Sequence, residues 1–313
     1  MSELSAEDAT AVSEFYALGS VEEWAPNQRG LINVGYEIPE HFFLTVYSGR
    51  TADELEAVAR VANGMPEAVP IARPIPGRHG YAAELTAGYA LLTPHLPGEH
   101  YVGIQHTQKH PIPDHMHRVF AGFFWDVQEG LSAAPEQFKA ILKEPSRSNK
   151  STFPEEIPPV ALALERFAPE DGLDAPAYPD LIHDDMERQN ILCGPDEITG
   201  LVDLDSIHQG DVLYEYSHFL FNVGFCDPWA DFHTVSVYLD KMHDAGVIAE
   251  EDVPAIYGQM YRFAMADIAE FQNLIEHSSV DSSRLVDLEV LAHQYERALR
   301  LANRYFRSEY SLP

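Results

Sequence analysis

Apolar and polar positions along this chain change period several times, and each change marks an element. Residues 4 to 18, LSAEDATAVSEFYAL, place apolar side chains at helical spacing. Ser5 followed three positions on by Asp8 gives a cap-like start, so a helix is expected here with Gly19 ending it. The runs WAPNQRGLINVGYEI and HFFLTVYSG are β-rich and joined by a turn at Pro39 and Glu40, which predicts the first strands of an N-terminal lobe. TADELEAVARVANGM returns to helical spacing. AVPIARPIPGRHGYAAEL reads as a Pro-rich crossing with a hairpin turning at Arg78 to Gly80, and GYALLTPHLPGEH as a strand running into a linker.

From Asp114 to Lys143 the pattern HMHRVFAGFFWDVQEGL and PEQFKAIL is helical again. Residues 144 to 180 alternate proline with charge, which predicts a loop-rich segment with one short helix, ALALERFA. Two short apolar runs follow, ILC after RQN and LVDLD after ITG, of the kind that fold back as paired strands. Beyond Glu215 helical stripes run to the end of the chain, and such stripes are the core faces of packed helices.

Composition narrows the class. The 313 residues suffice for one two-lobed unit, and 45% hydrophobic with 11% aromatic content belongs to a globular protein. A net charge of -30, from 20 basic and 50 acidic residues, argues against nucleic acid or an anionic membrane as partner. A polyanionic ligand in so negative a field needs metal ions to neutralise it. Cys193 and Cys226 lie in apolar runs without CxxC spacing, so they read as buried small hydrophobes in a reducing compartment. The start MSELSAEDAT lacks a signal-peptide pattern and no apolar run approaches a membrane span, which predicts a soluble, cytoplasmic chain, monomer or homodimer. His100, His106, His110, His115 and His117 have no carboxylate or Cys framework around them. They are expected to be surface or helix-capping residues.

The chemistry concentrates in LIHDDMERQNILCGPDEITGLVDLDSIHQGDVLYE, residues 181 to 215. His183, Asp185, Asn190, Asp203 and Asp205 all fall at the edges of its apolar runs. Phosphoryl transfer from a metal-bound nucleotide needs a carboxylate to accept or orient the attacking hydroxyl, and separate oxygen ligands to hold the metal. Asp185 fits the first role. Asn190 fits as an amide ligand and Asp203, after the second apolar run, as the carboxylate ligand. His183 would brace the loop.

This order of residues, HxDxxxxN followed by a strand ending in Asp and then by Gly210-Asp211-Val212-Leu213-Tyr214-Glu215, resembles the aminoglycoside phosphotransferase and choline kinase family. The resemblance implies an α+β, bilobal, protein-kinase-like fold, with a β-rich nucleotide-binding lobe at 1–93 and a mainly helical lobe at 94–313 for catalysis and acceptor binding. It implies an ATP- or GTP-dependent kinase, with Mg2+ as cofactor, acting on a hydroxyl of a small molecule. Asp185 would be the catalytic carboxylate, with His183 and Arg188 in its loop. Asn190 and Asp203 would hold magnesium, with Asp205 supporting them. Gly30, Asn33 and Gly35 fall where the family has its phosphate-covering hairpin, completed by Tyr36. Leu92 to His95 would lie beside the adenine, although Pro94 has no N–H to donate. Glu54 or Glu56 would face the strand from the following helix, and residues 144 to 180 would border the acceptor. Tyr216, Asn222, Asp227, Tyr261 and Asp267 are acceptor-site candidates.

The chain departs from the family at two places. Asp184 stands where the family usually has Gly, and is expected to point outward; the alternatives are binding a cationic substrate or raising a neighbour's pKa. Thr45 stands where many kinases have a phosphate-gripping Lys, and no Lys precedes Lys109. Thr there, an acidic helix after it and LPG at 96 to 98 resemble the bacterial homoserine kinase-like branch. The cation replacing the Lys is left between Arg29 and Arg50. Amino alcohols such as homoserine lead as acceptor, with aminoglycosides, choline and sugars as rivals. A non-catalytic binding protein of the same fold is the second reading, motivated by Thr45 and Asp184, and an enzyme transferring AMP the third.

Overall fold

Ser5 accepts the backbone N–H of Asp8 at 3.1 Å and opens helix α1, Ala6–Tyr16, in the computed structural model of the chain. The structure describes residues 4–19, 24–27, 34–38, 41–100, 114–143, 178–186, 190–224, 232–246, 248–260 and 263. The helix ends at Ala17, which turns left-handed at φ 55°, with Gly19 at φ 74° beyond it. Strands β1 (Ala25–Asn27), β2 (Val34–Ile38), β3 (Phe42–Tyr47), β4 (Ala83–Leu85) and β5 (Gly88–Pro94) form an antiparallel sheet in the order β1-β2-β3-β5-β4. The expected hairpin at Arg78 to Gly80 is present, closed by Gly77 N–H donating to the Gly80 carbonyl at 2.6 Å.

Alternation along β3 sorts its side chains between two faces. Leu44 and Val46 pack with Val12 and Tyr16 of α1. Tyr47 and Leu91, on the opposite face, pack under Leu55 and Ala59 of helix α2, Ala52–Gly64. Thr51 and Glu54 cap α2 reciprocally. A second face of α2, with Ala57, Val58, Val61 and Ala62, enters the large core beside Phe120, Phe124, Ile191 and Leu201. Each fully buried aliphatic side chain there contributes about 1.5–3 kcal/mol. α2 therefore belongs to both lobes.

After α2 the chain clamps the strand that leads to the candidate site. Leu201 N–H donates to the Pro70 carbonyl and Ala72 N–H donates to the Leu201 carbonyl, both at 2.8 Å. Between the lobes, Gly98 turns at φ 108°, and a Cβ there would run into the Thr199 hydroxyl and the Cys193 carbonyl, so a side chain has no room. β6 (Glu99–His100) then pairs with β8 (Ile191–Cys193), which pairs with β9 (Ile198–Leu201). The expected pairing is shifted: ILC pairs with Ile198–Leu201, and of the LVDLD run only Leu201 lies in the strand, because Leu204–Ser206 turns away as a 3₁₀ helix. A two-stranded sheet that the sequence pattern did not announce joins β7 (Pro179–Ile182) to β10 (His208–Asp211).

Helices complete the larger lobe. They are α3 (Asp114–Ser132), α4 (Glu136–Lys139), α5 (Val212–Phe219, capped by Asp211), α6 (Phe232–Asp244) and α7 at 253–260. The antiparallel sheet with two helices, set against this helical lobe, is the α+β bilobal architecture the family resemblance implies. His117 does not sit at the surface as expected; it is buried, its Nδ1 2.9 Å from the Tyr238 hydroxyl across α3 and α6. His115 is exposed, 3.3 Å from Asp196. Cys193 is half-buried, its thiol pushed up to about 11 by burial, as suits a small hydrophobe. The Pro39–Glu40 turn, the ALALERFA helix and Cys226 lie outside the described residues. Among the described residues, no helix is long and apolar enough to cross a membrane.

Candidate active site

β7 delivers the chain to His183, Asp184 and Asp185, and the buried Met186 anchors the far side of the loop. Asn190 closes it. Its amide donates to the Asp185 side-chain Oδ2 at 2.7 Å and to the Asp185 carbonyl at 2.8 Å. Both amide hydrogens are thereby directed at Asp185, and the acceptor atom left for a metal is Oδ1. The Asn190 carbonyl in turn accepts from Val202 N–H at 2.9 Å, which fastens the loop to the strand before Asp203.

Asp203 sits in the left-handed region, φ 61° and ψ 59°, at the start of a 3₁₀ turn, Leu204–Ser206. Asp tolerates this conformation better than most residues, and the turn swings its carboxyl back towards the loop. Its carboxyl is pushed up to about 8 by burial first, then by a hydrogen bond with Asp205 and by the charges of Asp205 and Asp185. Three carboxylates thus converge, and a cation among them would relieve their repulsion. Among the described residues no three His, Cys, Asp or Glu side chains form a closed metal cage. Asn190 Oδ1 and Asp203 fit instead the open kind of Mg2+ site, in which phosphate oxygens and water complete the coordination.

Asp184 also adopts the left-handed region, φ 60°, where the family resemblance places Gly. Contrary to the outward orientation expected from sequence, its carboxylate turns in, 3.9 Å from Nε2 of the buried His208. His208 Nδ1 donates to the Ser206 carbonyl at 2.7 Å. The Asp184 N–H donates to the buried Glu215 carboxylate at 2.9 Å, and the His183 N–H approaches the same group. Burial, then the charge of Asp184, pushes Glu215 up to about 8. His183 is fully buried, and among the described residues neither ring nitrogen has a hydrogen-bond partner. Burial lowers its pKa to about 4, against the opposing pull of Asp205, so the ring is neutral. The hydrogen bonds that hold the loop go to Glu215 and Asn190 rather than to the His183 ring.

The small lobe faces this cluster with β3 and α2. Thr45 pairs with Gly35 of β2 and with Leu91 of β5. It lies two residues from the buried Tyr47 on the same strand face, and the pKa of Tyr47 is raised by burial and by the charges of Asp205 and Asp203. Sequence reasoning missed Tyr47 and His208 and gave Glu215, the end of the 210–215 motif, no role; position two beyond Thr45 on one strand face was a usable signal for Tyr47. Glu54 accepts from Thr51 N–H and hydroxyl at 2.8 Å and lies 3.7 Å from Arg50, whose guanidinium also donates to the Asp205 carbonyl. Glu56 is turned to Tyr81 and Ala82 N–H instead.

Other expected residues fall differently. The Leu92 side chain is buried on the α1 side of the sheet and its carbonyl accepts from Ile75 N–H at 2.7 Å. His95 N–H donates to the His41 carbonyl at 2.9 Å. Tyr216 is a core residue, its ring 5.0 Å from that of Phe124. Gly30, Asn33, Arg188 and Arg29 lie outside the described residues, as do Asp227, Tyr261 and Asp267.

A model of the phosphotransferase enzyme family matches residues 23–250. Solved structures share the fold at low identity. An amicoumacin kinase in complex with AMP-PNP, Ca2+ and Ami is 13% identical with a TM-score of 0.67, covering 92% of this chain and 91% of that one. An aminoglycoside phosphotransferase from Alicyclobacillus acidocaldarius is 13% identical with a TM-score of 0.66, covering 100% and 98%. A spectinomycin phosphotransferase in complex with ADP and spectinomycin is 14% identical with a TM-score of 0.62, covering 95% and 98%. No curated protein matches the chain.

Proposed function

The chain belongs to the phosphotransferase enzyme family, and from that premise we propose that it transfers the γ-phosphoryl group of ATP or GTP to a hydroxyl of a small molecule. The observation that carries this reading is the Asn190 amide on Asp185 at 2.7 Å, with Asp203 beside it. It orients one carboxylate towards an acceptor and leaves oxygen donors for a metal.

Asp185 takes the proton of the acceptor hydroxyl as its oxygen attacks the γ-phosphorus and the bond to the nucleoside diphosphate breaks. Asn190 fixes the angle of that carboxylate. Glu215 holds the backbone of His183 and Asp184, and so the height of the loop. Asn190 Oδ1 and Asp203 would hold Mg2+, with Asp205 supporting Asp203. When bound, the ion would neutralise the phosphates in a site otherwise lined by carboxylates. The lobe boundary is put at 93/94, at the last paired residues of β5, and the protein is placed in the cytoplasm.

The acidic cluster suits an acceptor carrying an ammonium group, so amino alcohols and aminoglycosides lead over neutral sugars. That family relatives of the same fold were solved with AMP-PNP or ADP and with antibiotic ligands supports the class. Thr45 on the strand favours a second reading, a binding protein without turnover. Nucleotide diphosphate release from ATP and GTP, with Mg2+, across amino alcohols, aminoglycosides, choline and sugars tests both. Release stimulated by one class is expected; nucleotide binding without release for any acceptor would favour the second reading.

A further inference from the structure

β3 carries no cation at the position facing the site, yet a nucleotide's phosphates have to be held beside three carboxylates. Among the described basic side chains, three are committed elsewhere. Arg73 donates to the carbonyls of Ala62, Met65, Pro66 and Val69 at the end of α2. Arg60 lies against Glu56 and the Tyr81 ring, and Lys139 bonds Asp180 at 2.7 Å. Arg50 alone among the described cations touches both the helix beside β3 and the turn after Asp203.

Its geometry reproduces, from a different origin, the pairing that kinases build between a strand lysine and a helix glutamate. The side chain springs from the turn three residues after β3 ends at Tyr47. Its Nη1 lies 3.7 Å from Glu54 in the first turn of α2, and Nη2 donates to the Asp205 carbonyl. Glu54 cannot swing away, because its other oxygen is held by Thr51 at 2.8 Å. A guanidinium has five N–H donors in a planar fork, so these two contacts leave donors over for a phosphate. The side chain is 18% exposed, enough for a ligand to reach.

We propose that Arg50, from the turn after β3, is the cation that binds the nucleotide's phosphates in place of a lysine on the strand. This rests on the nucleotide-dependent reading above. A long planar side chain anchored by Glu54 also touches the Asp205 carbonyl, two residues beyond Asp203.

The test compares wild type with Arg50→Met and Arg50→Lys, measuring affinity for Mg-ATP and, by displacement of a fluorescent ATP analogue, for adenosine. Loss of charge-assisted hydrogen bonds predicts that Arg50→Met weakens ATP by about tenfold to a hundredfold. Adenosine, which has no phosphate, is expected to bind unchanged, and Arg50→Lys to recover part of the loss. Equal ATP affinity in wild type and Arg50→Met would overturn the assignment and leave the kinase reading standing. Parallel loss of ATP and adenosine would overturn it too, since it marks a displaced α2 rather than a lost phosphate contact. Absence of ATP binding by wild type would overturn both.

Discussion

Two buried titratable residues under the Asp185 loop give the protein opposite responses to pH. Glu215, raised from 4.5 to about 8 by burial, binds a proton in the folded state that the unfolded chain has already released. Its contribution is complete below pH 4.5 and is lost as pH rises through about 8. His183, lowered from 6.5 to about 4, works in reverse: its contribution is present above 6.5 and is lost as pH falls towards 4. The two oppose each other between 4.5 and 6.5, and above 6.5 Glu215 acts without that opposition, in the same direction as Asp203. The stability of the ligand-free protein should therefore fall from pH 6.5 to 8, each group contributing at most about 1.4 kcal/mol per pH unit. Denaturant unfolding of Glu215→Gln should show a shallower fall, because the amide keeps an acceptor for Asp184 N–H without the titration. An unchanged slope would show that Glu215 does not titrate in this range.

The elements differ in how much of them the sequence disclosed. α1 was legible because Ser5 and Asp8 announce its start locally, and α2 because its apolar positions recur at helical spacing. The β8–β9 hairpin was legible only in part: ILC is one strand, but its partner is ITGL, and the apolar LVDLD run drew the expected strand three residues too far along. The β7–β10 pair was not: HQGD has neither alternation nor β-branched residues, and its partner lies 26 residues upstream, from Ile182 to His208. Positive φ at Asp203 left no trace either, since Asp is also common in ordinary turns, whereas at Asp184 the family's usual Gly was a hint of it. Hence the order of Asp185, Asn190 and Asp203 marked them as candidates that the fold brings together, while the inward turn of Asp184 and the contacts of Glu215 and Tyr47 needed the fold. Leu92 and His95 were placed by the linker they occupy, but which of their backbone groups are engaged depends on Ile75 and His41, far off in sequence. α2 is the element on which both lobes rest, and its capping box is testable. Thr51→Ala should lower stability by about 0.5–2 kcal/mol in denaturant unfolding. No loss would mean that the packing of Leu55 and Val58 holds the helix without its cap.

At the scale of the molecule, a charge of -30 opposes compaction through self-repulsion. Only five of the 20 basic residues are Lys, so few mobile cations compensate it. Screening shortens the Debye length to about 3 Å at 1 M salt. The Tm should accordingly rise with NaCl concentration at pH 7, and a Tm that fell or held level would show that the charges are already balanced locally. The same negative field surrounds the site that is proposed to take a nucleotide. Binding and turnover thus have to be separated, since the proposed phosphate contact of Arg50 and the proposed catalytic carboxylate of Asp185 belong to different lobes. The measurement that separates them most directly is the turnover of Asp185→Ala with the best acceptor, made beside its affinity for Mg-ATP. Removal of the carboxylate that takes the proton predicts a loss of kcat of roughly 10²- to 10⁴-fold, with nucleotide affinity close to wild type. Wild-type turnover in Asp185→Ala would contradict the assignment of this loop as the catalytic one.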